Sequence, residues 1–382
     1  MRWDIFCQIV DNYGDAGVCW RLARALSKIS SRSGADGDDI RIRLFCDDLK
    51  VLNAMAHGDA VSQAASFGIE VLPWSMAESP GVLSSVGNVV IEAFACELPS
   101  AYVTALATST TQPIWINLEY LTAEAWADEM HLMPSPQNNG LLKHFYFPGF
   151  TAGTGGVILG DEAILRSADA PPASPLSSLQ ANAPDSLKSA LGHCRDGAKR
   201  ISVFHYPTAP LDAWLTSLNE AASSHDEVVD VLVCASQNIA ALKEASLGVI
   251  DSGALRLIQL PFIPQEDYDW LVSHCDMNLV RGEDSFVRTQ WAGKPFIWDI
   301  YPQSDLAHEV KLDAFLDRYF ATSTPEFRTL GQSAMKWGPV TEWWPHWTAW
   351  TEHSKAWAKK LVALGHLEGK ILDFVKSQEI SR

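Results

Sequence analysis

Basic charge is what this chain has least of. Its 382 residues carry 29 Lys and Arg against 46 Asp and Glu, a formal net charge of −17 at pH 7. General nucleic-acid binding needs basic stripes that displace counterions, so no nucleic-acid partner is expected. A phosphate site, if there is one, has to be built locally. Long apolar runs are also missing: none approaches the ~18 residues of a membrane span, so no membrane partner is expected either. The start, Met1-Arg2-Trp3-Asp4-Ile5-Phe6, has no signal-peptide anatomy. The cysteines at 7, 19, 46, 96, 194, 234 and 275 form no Cys-x-x-Cys pair. Seven dispersed thiols, several inside strand-like runs, fit buried reduced cysteines and a cytoplasmic location. The eleven histidines show no ligand spacing. There is no Gly-x-Gly-x-x-Gly fingerprint, no Walker loop and no Gly-x-Ser-x-Gly elbow. Two Asp-x-Asp pairs, Asp36 with Asp38 and Asp267 with Asp269, match a metal-diphosphate pattern. The first lies in a polar loop and the second inside a helix, and no metal is expected.

What is present is alternation. Strand-like runs at 3–10, 40–46, 69–72, 89–94 and 114–117 are separated by helical ones. Val18, Leu22, Ala25 and Ile29, for instance, recur on one helical face. Residues 134–160 are rich in Gly, Pro and aromatics, have no clear period, and read as a loop-rich lobe. The Ala/Ser/Pro-rich stretch after 166, with Pro171, Pro172 and Pro175, reads as a linker reaching to 199. A second alternating set follows. Its strands are at 200–205, 228–234, 255–260, 277–280 and 295–298, and its helices at 211–222, 238–245 and 266–274. Alternation at this pace predicts parallel sheets flanked by helices. The predicted division is 1–166, a linker at 167–199, 200–342, and terminal helices over 343–382. The tryptophans that crowd 337–357 supply apolar area to pack that tail.

Four loops carry possible chemistry. After the first strand comes Asp11-Asn12-Tyr13-Gly14-Asp15-Ala16-Gly17: two carboxylates four apart, with glycines that let a ligand come close. Such a loop repels a pyrophosphate and suits a cationic acceptor or a hydroxyl that must lose a proton. The plainer alternative is that Asp15 caps the helix and Asp11 solvates the turn. Phe204-His205-Tyr206 ends one strand of the second set, and Phe262 and Gln265 follow another. These could stack on a base and hold a pyrimidine edge, or simply rim a core. The run Arg281-Gly282-Glu283-Asp284-Ser285 joins a strand to a helix, at the carboxyl end where open α/β sheets bind ligands. Ser285 or Asp284 is expected to cap that helix, leaving backbone N–H groups and the positive dipole end for an anion. Its plainer alternative is a capped surface loop.

The strings Asp11-Asn12-Tyr13-Gly14-Asp15-Ala16-Gly17-Val18, with Trp20-Arg21-Leu22-Ala23-Arg24, and Arg281 through Gly293 resemble the elongation factor P arginine rhamnosyltransferase family. The resemblance runs over nearly the whole chain and is weakest at 167–199. It implies an α/β, GT-B fold: two facing Rossmann-like domains with a C-terminal helix returning to the N-terminal one. It implies transfer of L-rhamnose, with inversion, from dTDP-β-L-rhamnose to an arginine of translation elongation factor P, without a metal or other cofactor. Asp15 becomes the catalytic base with Asp11 beside it. Tyr13, Gly14, Gly17, Phe204, Tyr206, Phe262, Gln265, Arg281, Glu283, Asp284, Ser285 and Tyr301 become donor-binding residues. For Glu283 a ribose or sugar hydroxyl is the expected contact, since a carboxylate beside diphosphate is repelled. Two other classes stay in view: another GT-B sugar-nucleotide enzyme, either an epimerase or a small-glycan transferase, and a non-enzymatic scaffold using the acidic N-terminal surface.

Overall fold

The computed structural model describes residues 1–10, 13–32, 40–165, 175–234, 248–303 and 306–380. The chain forms two compact units. Met1–Asp161 together with Leu361–Arg382 make the first, and Glu162–Lys360 the second.

The first unit is built on a sheet of seven strands: β1 (Arg2–Cys7), β2 (Arg41–Cys46), β3 (Ile69–Pro73), β4 (Val89–Ala93), β5 (Ile114–Leu118), β6 (Pro134–Pro136) and β7 (Leu142–Tyr146), in the order β3-β2-β1-β4-β5-β7-β6. All pairings are parallel except β6 with β7. β1 and β4 are mostly apolar because both faces are covered, interrupted only by Arg2 and Asp4 in β1 and Glu92 in β4, and β4 is buried throughout. Phe6 and Phe45, partners in register, stack at 4.6 Å within the apolar core, and Tyr102 packs edge-on against Phe6. Asp4 is fully buried in the same strand. It accepts two bonds from Arg43 at 2.7 and 2.5 Å, one from the Gly87 N–H at 2.8 Å, and one from the Tyr102 hydroxyl. Such saturation is what a buried carboxylate requires.

The second unit has six strands: β8 (Lys199–Val203), β9 (Val229–Val233), β10 (Val249–Ser252), β11 (Leu255–Gln259), β12 (Met277–Arg281) and β13 (Phe296–Asp299), in the order β10-β11-β9-β8-β12-β13. Only β10 runs antiparallel, in a hairpin with β11 that turns at Gly253 with φ +61°. Both sheets therefore share one parallel core order, and each reverses direction beside its first strand. Those reversal points lie between β1 and β4 and between β8 and β12.

Several expectations change here. The first strand stops at Cys7 rather than residue 10, since Val10 leaves the sheet and is largely exposed. The stretch 134–160 is only partly the loop-rich lobe expected: β6 and β7 extend the sheet, three-residue β6 carrying too little pattern to read, while 147–160 holds no helix or strand. β10 was not anticipated. Part of the expected linker folds as two helices, Leu176–Asn182 and Asp185–Leu191. The predicted helix at 238–245 and the Asp36–Asp38 pair lie outside the described residues. The tail also differs. Trp343, Trp344, Trp347, Trp350 and Trp357 belong to the second unit, where Trp343 meets Trp350 at 5.4 Å and the Trp357 indole N–H donates to Gln290 at 2.7 Å. Only from Leu361 does the chain rejoin the first unit. There Glu368 accepts from the Leu159 and Gly160 N–H groups at 3.3 and 2.9 Å. All seven cysteines are buried free thiols, as their scatter implies.

Candidate active site

In the first unit the reversal point opens at the end of β1. The helix that follows runs from Tyr13 to Arg32, so Tyr13, Gly14, Asp15 and Gly17 are helical residues rather than a free turn. Two glycines in four residues disguise this start. Asp15 sits in the first turn, where the helix dipole favours a negative charge. It is only 2 % exposed, and one carboxylate oxygen accepts from the Val10 N–H at 2.8 Å. The residue thus ties the strand exit to the helix start and does part of the work of a cap. The adjoining Cys7 thiol is held well above its ordinary value, first by its hydrogen bond with Cys19, with burial and the negative charge of Asp15 adding to it. Tyr13 is exposed at the same end, Gly14 partly so, while Gly17 is buried. Asp11 and Asn12 lie outside the described residues.

In the second unit the reversal point is flanked by the ends of β8 and β12. Gly282, at φ +65°, turns the chain directly from β12 into the helix Gly282–Trp291. The helix therefore begins earlier than a cap at Ser285 or Asp284 allows, and neither residue caps it. Arg281 occupies the N-cap position, and its own side chain makes no capping bond. The Ser285 hydroxyl donates back to the Arg281 carbonyl, and Asp284 accepts from the Gln265 amide at 2.9 Å. Glu283 pairs with Lys311 at 2.7 Å. Phe286 stacks on Trp298 at 3.8 Å, and the Trp298 indole N–H donates to the Gly282 carbonyl at 3.1 Å, which fixes the turn from the adjoining strand.

The Arg281 guanidinium lies over two rings, 4.2 Å from Phe204 and 4.9 Å from Tyr206, and donates to the His205 carbonyl at 3.0 Å. Stacking of this kind holds a planar cation without neutralising it. Tyr301 meets Tyr206 edge-on at 5.4 Å and is 53 % exposed. Phe262 is also exposed, on the segment leading into the helix Gln265–His274. The predicted residues of this unit thus fall into two adjoining groups. Phe204, Tyr206, Arg281 and Tyr301 form one, and Gln265, Asp284 and Ser285 the other. Glu283 turns to Lys311.

Some residues here were not foreseen. Asp299 ends β13 as the register neighbour of Arg281, is 7 % exposed, and accepts from the Tyr206 N–H at 2.6 Å. Burial pushes its carboxyl up to about 6, against the opposing pull of that N–H and of Arg281. Burial keeps the His205 imidazole below its usual range. Tyr268, between Phe204 and Ser285, is buried and its phenol is raised, chiefly by burial. Asp299 follows a predicted strand directly, so the strand-end rule that singled out Arg281 was available for it as well. Lys311 lies mid-helix, in Ala307–Tyr319, and offered no such signal. Among the described residues no group of three or more His, Cys, Asp or Glu is arranged to hold a metal. No described helix is long and apolar enough to cross a membrane.

Comparison with known proteins adds a lineage to this geometry. The family model described as elongation factor P (EF-P) rhamnosyltransferase EarP matches residues 3–376. Protein-arginine rhamnosyltransferases of Pseudomonas putida and Pseudomonas aeruginosa are 42 % and 40 % identical over 327 and 325 residues. Those alignments span 83 % and 84 % of this chain and 81 % and 82 % of theirs. A solved structure described as the basis for EarP-mediated arginine glycosylation of translation elongation factor EF-P is 27 % identical, with a TM-score of 0.62 over 98 % of this chain and 99 % of its own. Spinosyn forosaminyltransferase SpnP, 9 % identical with a TM-score of 0.51 over 99 % of both chains, shares the fold alone. The fold is GT-B.

Proposed function

The chain belongs to the elongation factor P rhamnosyltransferase family, and from that premise we propose that it transfers L-rhamnose, with inversion, from dTDP-β-L-rhamnose to an arginine side chain of elongation factor P. The observation that carries the donor half is the guanidinium of Arg281, stacked on two rings at the start of a helix. Helix N–H groups and a fixed cation together suit a leaving diphosphate. Tyr301 and Phe262 offer exposed ring faces for a base or sugar, and Gln265 an amide for a pyrimidine edge. Glu283 is assigned to a hydroxyl of the ribose or sugar.

The acceptor half rests on Asp15. Arginine stays protonated in water, so no carboxylate strips its proton in advance. A carboxylate can instead grip the guanidinium, hold one nitrogen in line, and accept a proton as the N–C bond forms. In the proposed step the arginine nitrogen attacks the anomeric carbon, the bond from that carbon to the diphosphate oxygen breaks, and the nitrogen's proton passes to Asp15. The product guanidinium remains a cation and dTDP departs. Asp11 is assigned to the same grip. The guanidinium acceptor is favoured over a sugar hydroxyl because a hydroxyl needs a base but no ion-pairing partner.

Asp15→Asn tests the assignment. It keeps the acceptor for the Val10 N–H but cannot take the proton. It is expected to bind dTDP-β-L-rhamnose normally and to lose roughly 10²–10⁴-fold in transfer, read as the mass of deoxyhexose added to the factor. Full deoxyhexose addition by that variant removes Asp15 as the base. No transfer by the wild type to any candidate factor removes the proposed reaction itself.

A further inference from the structure

Asp299 plays no part in the transfer as described, yet it occupies the same strand edge as the cation. On the helix after β12, Glu283 pairs with Lys311 and Asp284 accepts from Gln265. Asp299 instead lies on the neighbouring strand, in register with Arg281. The groups around it come from three elements. The end of β8 supplies the Tyr206 N–H, with the His205 imidazole turned to the Tyr206 carbonyl, β12 supplies Arg281, and the segment after β13 brings Tyr301 against Tyr206. Among the described residues the carboxylate therefore has one N–H donor and one nearby cation, far less than Asp4 with four donated bonds.

We propose that Asp299 is a positioning residue of the donor site, and that it takes up a proton as the diphosphate of a nucleotide sugar binds beside Arg281. The inference rests on the donor-site reading given above. Without ligand, the ionised carboxylate offsets the charge of Arg281. A diphosphate brings two negative charges to the same edge, and like charges close together drive a carboxylate to hold its proton. Asp299 is already poised for this, because burial has raised it to about 6, so a further rise of about one unit leaves it about half protonated near pH 7. Once protonated it no longer competes for Arg281. It still accepts from the Tyr206 N–H through its carbonyl oxygen, so the ring under the guanidinium stays in place, and its O–H can turn toward the incoming anion.

The sign follows from linkage. A group whose affinity for protons rises on binding makes binding tighter as pH falls through its free value. Donor affinity should therefore increase by about tenfold from about pH 8 to about pH 5 for a one-unit shift. Near pH 7, binding should take up about 0.4 proton. Asp299→Asn keeps the acceptor for Tyr206 but cannot titrate. It should bind the donor with little dependence on pH and at least as tightly as the wild type near pH 8. A merely structural carboxylate predicts the opposite: a lower Tm and weaker binding at every pH.

The experiment is calorimetric titration of the full chain with dTDP-β-L-rhamnose in buffers of different ionisation enthalpy. The esterified diphosphate of this donor does not itself titrate in the range used, unlike that of free dTDP. Proton uptake in the wild type that is absent in Asp299→Asn supports the proposal. Binding without uptake overturns it and leaves the donor site standing. Uptake that persists in Asp299→Asn also overturns it and points to His205. No binding by the wild type overturns the donor-site reading together with the proposal. If the variant does not fold, the wild type still decides, since a pH profile flat through about 6 is incompatible with the mechanism.

Discussion

Replacing Arg281 with Lys separates the charge of this residue from its shape. Lys keeps the positive charge, so any loss measures the planar, stacked guanidinium. Its contacts with Phe204 at 4.2 Å, Tyr206 at 4.9 Å and the His205 carbonyl at 3.0 Å already exist before a ligand arrives. They do not add directly to affinity; they spare the cost of ordering a long side chain on binding, about 1 kcal/mol. A second loss comes from the phosphate oxygens, which a guanidinium grips through two parallel N–H groups and an ammonium does not. That is about 1–2 kcal/mol for a charge-assisted bond. Together the substitution should weaken the donor by about 2–3 kcal/mol, roughly 30- to 150-fold in Kd. Calorimetric titration with dTDP and with dTDP-β-L-rhamnose reads this directly. Both ligands should lose the same factor, because the interaction is with the diphosphate they share. An affinity within about twofold of the wild type for both would refute the assignment of Arg281 to the leaving group.

Other substitutions test the frame and the rest of the site. Glu283→Gln should weaken dTDP-β-L-rhamnose by about tenfold, the loss of one charge-assisted bond to a hydroxyl, and an unchanged calorimetric affinity removes Glu283 from the donor site. Asp4→Asn leaves the buried Arg43 without its ion partner; urea unfolding should show about 3 kcal/mol less stability, and a change below about 1 kcal/mol means that Arg43 finds another partner. Trp357→Phe deletes the indole N–H bonded to Gln290 at 2.7 Å in a buried setting. It should cost about 1–3 kcal/mol in thermal unfolding with no effect on donor affinity, whereas weakened binding would tie that helix contact to the site.

Much of this architecture was legible because parallel strands buried on both faces leave mostly apolar runs, as Val89–Ile91 in β4 and Leu279–Val280 in β12 show. The helix after β1 was legible from Val18, Leu22, Ala25 and Ile29, but its start was not. Gly14 and Gly17 usually mark a turn, and only the bond from the Val10 N–H to Asp15 shows that the turn has already ended. The helix after β12 hid its start for the same reason. Gly282 takes a left-handed conformation that lets strand pass straight into helix, while the eye settles on the better capping residues Asp284 and Ser285. The tail misled differently. Aromatic bulk says that a segment packs, not against what, and Trp343 to Trp357 found their surface within the second unit. Asp299 was hardest to value. Its meaning comes from a peptide N–H 93 residues earlier and a cation on the neighbouring strand, and neither leaves a mark beside it in the chain.

The distribution of charge between the two reversal points bears on which reaction is carried out. Each point lies beside the first strand of its own sheet, and each has a charged residue set against the start of the helix that follows, Asp15 at one and Arg281 at the other. Behind β1 stands Asp15, in a helix turn where the dipole welcomes a carboxylate. Behind β12 stands Arg281, with helix N–H groups following it. A transferase moving a sugar to a hydroxyl needs a base, but nothing about a neutral acceptor calls for a carboxylate kept ionised and poised to form an ion pair. An arginine acceptor is different, because it brings a positive charge toward a carbon that is itself becoming cation-like. That repulsion has to be offset before the leaving group has fully gone, and a carboxylate can do so while also receiving the proton. Asp15 accepts from the Val10 N–H and sits in the first turn of its helix, where the dipole favours a negative charge; in the proposed reaction that carboxylate meets the guanidinium. The donor end obeys the complementary rule. Among the described residues Arg281 is held by ring faces and a carbonyl rather than by an ion pair, and Asp299, its neighbour in register, is a carboxylate that burial has raised to about 6. On our proposal the charge of Arg281, fixed in place by ring faces and a carbonyl, is left to be matched by the donor.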